Sequence, residues 1–414
     1  MAKALIIQLA RFGDLVQTRR LVRSLLAEGC EVHLCLDRSL APLAALVHPE
    51  CRAHPVIAHA TGLGPEAASL AILTDNRRAF AALRAEQFDA VYNLNFSGMA
   101  FRVAALFDPE IVVGYRWKNG QEVVPPWSAL GMRLTRDRRL GMNLQDFWAH
   151  YAPRPIDPTE VNPVPAPRGG GLGVVLAGRE SRRSLPVPVL AAVAATMAAK
   201  MGAQRLVLLG SGAERPAARQ FMKLLPKWRG TMDDLAGRTD WPGLVDAVSG
   251  LDRLITPDTG TMHLAAHLGV PVTAFFLSSA WCFETGPYGQ GHEVHQAVAE
   301  CAPCLESAPC PHALRCLEPL AGQGMLRYIG SGRAEHCPPG VATLRSTLDA
   351  LGTNYECLAG AVPGAGRRAG FRAFLAAHVH AADGFSGPNE HDFARSAYQE
   401  SDWMVPHPSF GVSC

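Results

Sequence analysis

The chain has 414 residues, of which 48% are hydrophobic and 18% charged, with a formal charge of +2. That length suits two domains of ordinary size, and the near-neutral balance gives no support to a nucleic-acid partner. No apolar run approaches the ~18 residues that cross a bilayer, and the opening Met1–Asp14 lacks a signal's long apolar core and small-residue cleavage site, so a cytoplasmic protein is expected.

Ala4 to Leu9 reads as an apolar strand, Arg11-Phe12-Gly13-Asp14 as a turn, and Leu15 to Ala27 as one helix closed by Gly29. Strands follow at Glu31–Leu36, His54–Ala58, Ala90–Leu94 and Ile111–Val113. Helices fall between them near Leu40–Val47, Glu66–Ala85 and Met99–Phe107. Alternation at this spacing predicts a parallel sheet with helices on both faces. Pro153 to Gly171 holds six prolines and three glycines and reads as a linker. The pattern then resumes: strand Leu172–Ala177, helix Val189–Met201, strand Arg205–Leu209, a Gly210-Ser211-Gly212 turn into a helix from Glu214, and helix Trp241–Ser249. After Phe276 periodicity fades, and from about Gly352 the chain reads as a tail without a domain-like pattern. The expected division is 1–155, 172–350 and an extension, 351–414.

The second half turns on Leu254 to Phe276, LITPDTGTMHLAAHLGVPVTAFF. A short apolar strand end leads into the polar turn Asp258-Thr259-Gly260-Thr261. A helix runs to Leu268 with Gly269 as its cap, and a second strand begins after Pro271. A turn at the carboxyl end of a parallel strand is where open α/β sheets bind ligands. The amides opening the helix favour an anion such as a diphosphate. Neither half carries G-x-G-x-x-G after its first strand, nor a G-x-x-x-x-G-K-[ST] loop. This argues against nicotinamide, flavin and ordinary P-loop enzymes.

These residues resemble glycosyltransferase family 9, the bacterial heptosyltransferases of lipopolysaccharide core synthesis. ALIIQLARFGDLVQTRRLVRSL is similar to the family's opening, and TPDTGTMHLAAHLGVPVTAFF to its second hallmark. GRESRRSLP, LLGSGAER and DLAGRTDWPGLVDAVSGLDRLITPDTG lie between them in the family's order. The resemblance spans about Lys3 to Leu320. It implies a GT-B fold of two Rossmann-like domains, N-terminal on the acceptor side and C-terminal on the donor side, with parallel sheets facing a central cleft. It also implies a nucleotide-sugar donor (ADP-heptose in characterised members), an inverting mechanism, no cofactor and no obligatory metal. The sequence departs from the family at Gln8, Ala10, Arg20 and Leu185, where Arg, Ser, Pro and an aromatic are usual.

The resemblance places a catalytic base at Asp14, beside Gly13. The residues alone also allow an acid in a first helical turn, favoured by the helix dipole. On the donor side, Thr259, Gly260 and Thr261, following Asp258, offer donors to a departing diphosphate. Arg183 supplies a cation at the position where the family often has Lys, although adjacent Arg182 competes for that role. Glu214 is placed to take ribose hydroxyls, or to open its own helix. His263 stands where the family has a histidine. With His267 it has metal-pair spacing, but the H-E-x-x-H pattern is absent. Arg116 and Lys118 are candidates for holding an anionic acceptor sugar, or are surface charge.

Of eleven cysteines, five lie between Cys301 and Cys337. Cys301, Cys304, Cys310 and Cys316, with His312 among them, have enough ligands for tetrahedral zinc but no common zinc spacing. The readings are reduced structural thiols, a metal site or a disulfide, and no metal is expected. The expected function is transfer of a heptose, or a related sugar, to lipopolysaccharide core or another glycan. A non-catalytic nucleotide-sugar-binding protein and a GT-B-like epimerase are the alternatives. A lipid-linked acceptor would bring the protein to the anionic inner-membrane surface as a peripheral partner. Arg77, Arg78, Arg84, Arg133, Arg136, Arg138 and Arg139 are the basic residues for that contact.

Overall fold

A computed structural model describes residues 1–59, 64–136, 141–177, 181–305 and 308–379. The chain divides into two compact units. One comprises Met1–Asp137, Leu144–Ile156 and Gly370–Cys414; the other comprises Arg138–Asn143 and Asp157–Ala369.

The first unit is built on five parallel strands: β1 Lys3–Gln8, β2 Glu31–Asp37, β3 Arg52–Val56, β4 Ala90–Asn93 and β5 Val112–Gly114. Their order is β3-β2-β1-β4-β5. β1 is central because its residues 4–8 are buried on both faces, as an apolar strand in a doubly covered sheet must be. Ile7 aligns with Cys35 on one side and Asn93 on the other. Leu5, Ile7, Val91, Val103 and Val112 pack into one core. A short hairpin follows, β6 Arg116–Lys118 with β7 Gln121–Val123.

The helix expected as continuous from Leu15 to Ala27 is two helices, Phe12–Gln17 and Arg19–Ala27. The break falls at Thr18, whose hydroxyl donates to the Leu15 carbonyl at 2.7 Å and meets His48 Nε2 at 3.2 Å. A hydroxyl competing for backbone acceptors interrupts a helix in this way. Arg20 is buried and pairs with buried Asp146 at 2.6 Å, while its Nε and Nη2 donate to the Ile156 carbonyl at 3.1 and 2.9 Å. The start of the proline-rich stretch is thus held against the Arg19–Ala27 helix.

The second unit has an eight-stranded sheet. Its strands are β8 Leu172–Val175, β9 Arg205–Leu209, β10 Thr231–Asp234, β11 Arg253–Pro257, β12 Val272–Phe276, β13 Glu293–Ala297, β14 Val341–Asp349 and β15 Gly352–Ala359. The order is β10-β9-β8-β11-β12-β13-β14-β15. It is parallel through β13; β14 and β15 are antiparallel additions. The stretch read as patternless after Phe276 therefore contains three sheet strands. β13 escapes an apolar scan because His295 and Gln296 are fully buried in it. Their polarity is spent on hydrogen bonds to Thr343, Cys282 and the Phe276 carbonyl. The boundary drawn at 350 is corrected as well, since β15 pairs with β14 along its length and a helix, Ala365–Val379, follows. Residues 380–414 of the expected extension lie outside the described residues. No helix among the described residues is long and apolar enough to cross a membrane.

Candidate active site

β11 lies between β8 and β12, with Ile255 aligned to Val174 and Thr273, so the turn after Pro257 leaves the middle of the sheet at its carboxyl edge. Thr259 takes an extended N-cap conformation (φ −144°, ψ 164°), and the helix Gly260–His267 begins on it. Its side chain does not cap the helix; the hydroxyl instead meets the Thr256 hydroxyl at 3.0 Å. The opening amides of this helix provide the partial positive charge to which an anion binds.

Beneath this turn Asp258, with its side chain 5% exposed, is ion-paired with the Arg183 guanidinium. The same carboxylate oxygen accepts the Thr285 hydroxyl at 2.9 Å. The adjacent arginines separate here: Arg182 donates to the Ala308 carbonyl at 2.5 Å and the Leu305 carbonyl at 3.0 Å, while Arg183 reaches the turn. His263 is buried on the first turn of the helix. Burial, opposed by Asp258 and reinforced by Arg183, pushes its imidazole down to about 4, so it stands neutral at pH 7.

Thr285 is not among the candidates that the sequence offers; it immediately precedes the Gly- and Pro-containing turn Gly286-Pro287-Tyr288-Gly289. That turn is firmly held. Asn143 Nδ2 donates to the Gly286 carbonyl at 3.2 Å, Asn162 Nδ2 to the Tyr288 carbonyl at 3.3 Å, and the Tyr355 hydroxyl to the Pro287 carbonyl at 3.0 Å. Gly286 is required there because a Cβ would collide with the Tyr355 hydroxyl and lie 2.5 Å from the Cys282 carbonyl oxygen. Just before this turn, the Phe283 ring meets buried Arg368, whose guanidinium lies 3.6 Å from the ring centroid, a cation–π contact.

Glu214 does not reach outward from its turn. Its Oε2 accepts the Ser211 N–H at 2.7 Å while Ser211 caps in return, a capping box around Gly212–Glu214. Arg116 donates to the Val112 carbonyl at 3.3 Å, and Lys118 pairs with Glu110 at 2.6 Å, so both acceptor-side candidates are engaged within their own hairpin region.

In the first unit the sequence predicts a turn at Arg11–Asp14, but the helix Phe12–Gln17 already begins there, with buried Gly13 and half-buried Asp14 in its first turn. The Asp14 Oδ2 accepts the Arg11 N–H at 3.0 Å, and Leu15 N–H donates to the Arg11 carbonyl at 3.1 Å.

Cys301, Cys304, Cys310 and Cys316 line one cavity of about 220 Å³ with His312 and Ser278. The Leu314 N–H lies 3.4 Å from Cys310 Sγ and lowers that thiol's pKa together with the His312 N–H, whereas burial raises that of Cys316. Among the described residues, the group whose ligand atoms converge as a metal would require is a different one: His33, His54 and Glu86. Its chemistry is already satisfied. His33 Nδ1 and His54 Nε2 share a hydrogen bond at 2.8 Å, and Glu86 holds Lys3 and Arg52 at 2.9 Å each. His263 and His267 form no such group.

The sequence model described as "Glycosyltransferase family 9 (heptosyltransferase)" matches residues 191–312, the stretch that contains this turn. This stretch of the chain is similar to glycosyltransferase family 9. Solved heptosyltransferase and family 9 structures share its fold. The ADP-heptose lps heptosyltransferase II of E. coli is 18% identical and superposes with a TM-score of 0.50, covering 69% of this chain and 87% of that one. The family 9 glycosyl transferase of Veillonella parvula is 14% identical, with a TM-score of 0.51 and coverage of 69% and 83%. E. coli heptosyltransferase WaaC with ADP is 16% identical, with a TM-score of 0.51 and coverage of 69% and 91%. No curated protein matches the chain. The match over residues 191–312 points to a glycosyltransferase, and the two parallel-sheet units are those of the GT-B fold.

Proposed function

We propose that this protein is an inverting transferase that moves a heptose from ADP-heptose to lipopolysaccharide core or a related glycan. The observation that carries the reading is the Arg183–Asp258–Thr285 cluster under the helix start at Thr259–Thr261. It supplies a cation, hydroxyls and aligned amides to one diphosphate. The E. coli structures named for ADP-heptose and ADP support the choice of donor.

In the reaction, the acceptor hydroxyl oxygen bonds to the anomeric carbon as the bond from that carbon to the diphosphate breaks. Asp14 takes the hydroxyl proton, and the nucleoside diphosphate leaves with the electron pair. Arg183 and the Gly260 and Thr261 amides stabilise charge as it develops on the leaving oxygen. Neutral His263 packs behind the turn and adds no competing charge. The test is Asp14→Asn. Transfer from ADP-heptose to a heptose-free lipopolysaccharide core should fall by about three orders of magnitude or more, on the scale of general-base catalysis, with ADP-heptose binding nearly intact. Turnover within tenfold of the parent removes Asp14 as base.

A lipid-linked acceptor further implies peripheral contact with an anionic membrane. Arg77, Arg78 and Arg84 are exposed on the helix Pro65–Ala85 and suit that contact. Arg133 does not, being half-buried, and Arg138 and Arg139, like the side chain of Arg136, lie outside the described residues. Vesicles with anionic lipid should capture the protein at low salt and lose it at high salt, and Gln at 77, 78 and 84 should abolish capture. A protein that stays in the supernatant at low salt contradicts the contact.

A further inference from the structure

The helix carrying Asp14, Phe12–Gln17, starts three residues after Leu9, which lies one residue past β1 and is held from both sides by side chains. Its N–H donates to Asn95 Oδ1 at 2.6 Å. Its carbonyl accepts from His59 Nε2 at 2.8 Å. The last ladder bond between β1 and the chain leaving β4 is Leu94 N–H to the Ile7 carbonyl, at 3.2 Å. Beyond it the strands diverge, and the Asn95 amide supplies the rung that the backbone no longer can. Leu9 is 3% exposed, so without these partners both of its backbone groups would be buried and unsatisfied.

Both holding residues are themselves anchored. Asn95 Nδ2 donates to Gln8 Oε1 at 2.7 Å, and that oxygen also accepts the Ala10 N–H at 3.2 Å. The Asn95 N–H donates to Asn93 Oδ1 at 3.2 Å. His59 N–H donates to Asp37 Oδ2 at 2.9 Å, a carboxylate that also accepts Ala58 N–H at 2.9 Å. Three residues after Ala10 the chain reaches Gly13 and then Asp14, whose carboxylate closes back on the Arg11 N–H. A shift at Leu9 is therefore passed to the Asp14 carboxylate through a helix start already closed on itself.

We propose that Asn95 and His59 are positioning residues for the transfer reaction, gripping the two backbone groups of Leu9 so that the Asp14 carboxylate is aimed at the acceptor hydroxyl. The proposal rests on the reading of Asp14 as base. Neither residue touches the reacting atoms. Each acts through the backbone, where a displacement of about 1 Å costs on the order of a hundredfold in rate.

The chemistry of the contacts defines variants that separate positioning from folding. Asn95→Ala removes the acceptor for Leu9 N–H. Asn95→Asp keeps it: its second oxygen then faces Gln8, whose buried Nε2 has no partner among the described residues and can turn to donate, giving up only the longer 3.2 Å contact of Oε1 with the Ala10 N–H. His59→Ala removes the carbonyl's donor, and His59→Gln restores an N–H at the end of a chain of similar reach. For transfer from ADP-heptose to heptose-free lipopolysaccharide core, Asn95→Ala and His59→Ala should each lower kcat tenfold to a hundredfold. The donor KM should stay within threefold. Asn95→Asp and His59→Gln should remain within about threefold of the parent. Amide hydrogen exchange, which needs no substrate, should rise at least tenfold at Leu9 through Asp14 in the two alanine variants alone.

Unchanged kcat in both alanine variants overturns the proposal, whatever the exchange shows. So does a loss of kcat that the Asp and Gln variants share, or one matched by an equal rise in donor KM. If Asn95→Ala does not fold, His59→Ala, at an exposed ring, decides the question through the carbonyl arm. Asp14→Asn run alongside keeps the two readings apart. Retained turnover there removes the base, while a rise in exchange confined to the alanine variants still reports the grip on Leu9.

Discussion

The Arg183–Asp258 pair serves both stability and donor binding, and a double-mutant cycle separates the two. Asp258 has its side chain 5% exposed and Arg183 15%, so neither is fully hydrated. Arg183→Met leaves the carboxylate with the Thr285 hydroxyl as its remaining described hydrogen-bond donor. Removing one partner of a buried pair costs about 3–5 kcal/mol, and the residual exposure of the arginine places this case near the lower end, about 3 kcal/mol. In a unit of this size that lowers the melting temperature by roughly 6–12 °C. Arg183→Met/Asp258→Asn removes both charges and should return to within about 1 kcal/mol of the parent, because no uncompensated charge remains. Donor binding should not recover with stability. A hydrogen bond from a charged group contributes about 1.5–3 kcal/mol, so the single and double variants should both bind ADP roughly tenfold to a hundredfold more weakly. Calorimetric melting and ADP titration of the four proteins complete the cycle. A double variant that regains both stability and ADP affinity refutes the phosphate role of Arg183. A single variant that melts with the parent refutes the burial argument.

Acid should destabilise the fold over a defined window. Burial pushes His48, His263 and His292 down to about 4 from an ordinary value near 6.5. The unfolded chain takes up these protons below pH 6.5 and the folded chain does not until about pH 4. Stability is therefore full above 6.5 and is lost as pH falls towards 4, by up to about 3 kcal/mol for each histidine. Urea melts at pH 7 and pH 4.5 should show the loss, and His263→Gln should reduce it; a pH-independent midpoint would contradict the assignment. Gly286→Ala should destabilise the second unit by at least about 2 kcal/mol through its collision with Tyr355 and the Cys282 carbonyl, whereas Gly212→Ala, with nothing within 4 Å of its Cβ, should have little effect. Thermal melts of the two variants check this, and equal melting temperatures would be the contrary result.

Where the chain packs apolar residues against apolar residues, its structure was legible. β1, β2, β9 and β12 announce themselves as buried runs, and the Asp258–Thr261 turn follows from helix-start chemistry next to such a run. The strands that hid are those whose polarity is answered by distant partners. β13 buries His295 and Gln296 because Thr343 and Cys282, both remote in sequence, satisfy them. β10 is an edge strand, TMDD, exposed or half-buried along its length, and carries no apolar signature. The choice between Arg182 and Arg183 could not be made locally either, since the carbonyls of Leu305 and Ala308 claim one and Asp258 the other. Glu214 shows the opposite case. Its partner is three residues away, and the local capping chemistry written in Ser211–Glu214 is what the structure contains.

The bond from Arg20 to Asp146 and Ile156 has a consequence for how this protein can be taken apart. The first unit reclaims residues 144–156 after the chain has already contributed 138–143 to the other. A fragment ending near residue 137 would strip a buried guanidinium of its carboxylate and of the carbonyl that accepts its remaining donors, leaving a cation on an opened apolar face. Such a piece should be less soluble than one extended to residue 156, which keeps both partners of Arg20. The interleaving also limits recombination. A crossover placed between 138 and 156 splits one unit's contribution from the rest of it, and one beyond Ile156 still parts the first unit from its Gly370–Cys414 segment, so a single exchange of halves between related chains disturbs the first unit wherever the joint lies.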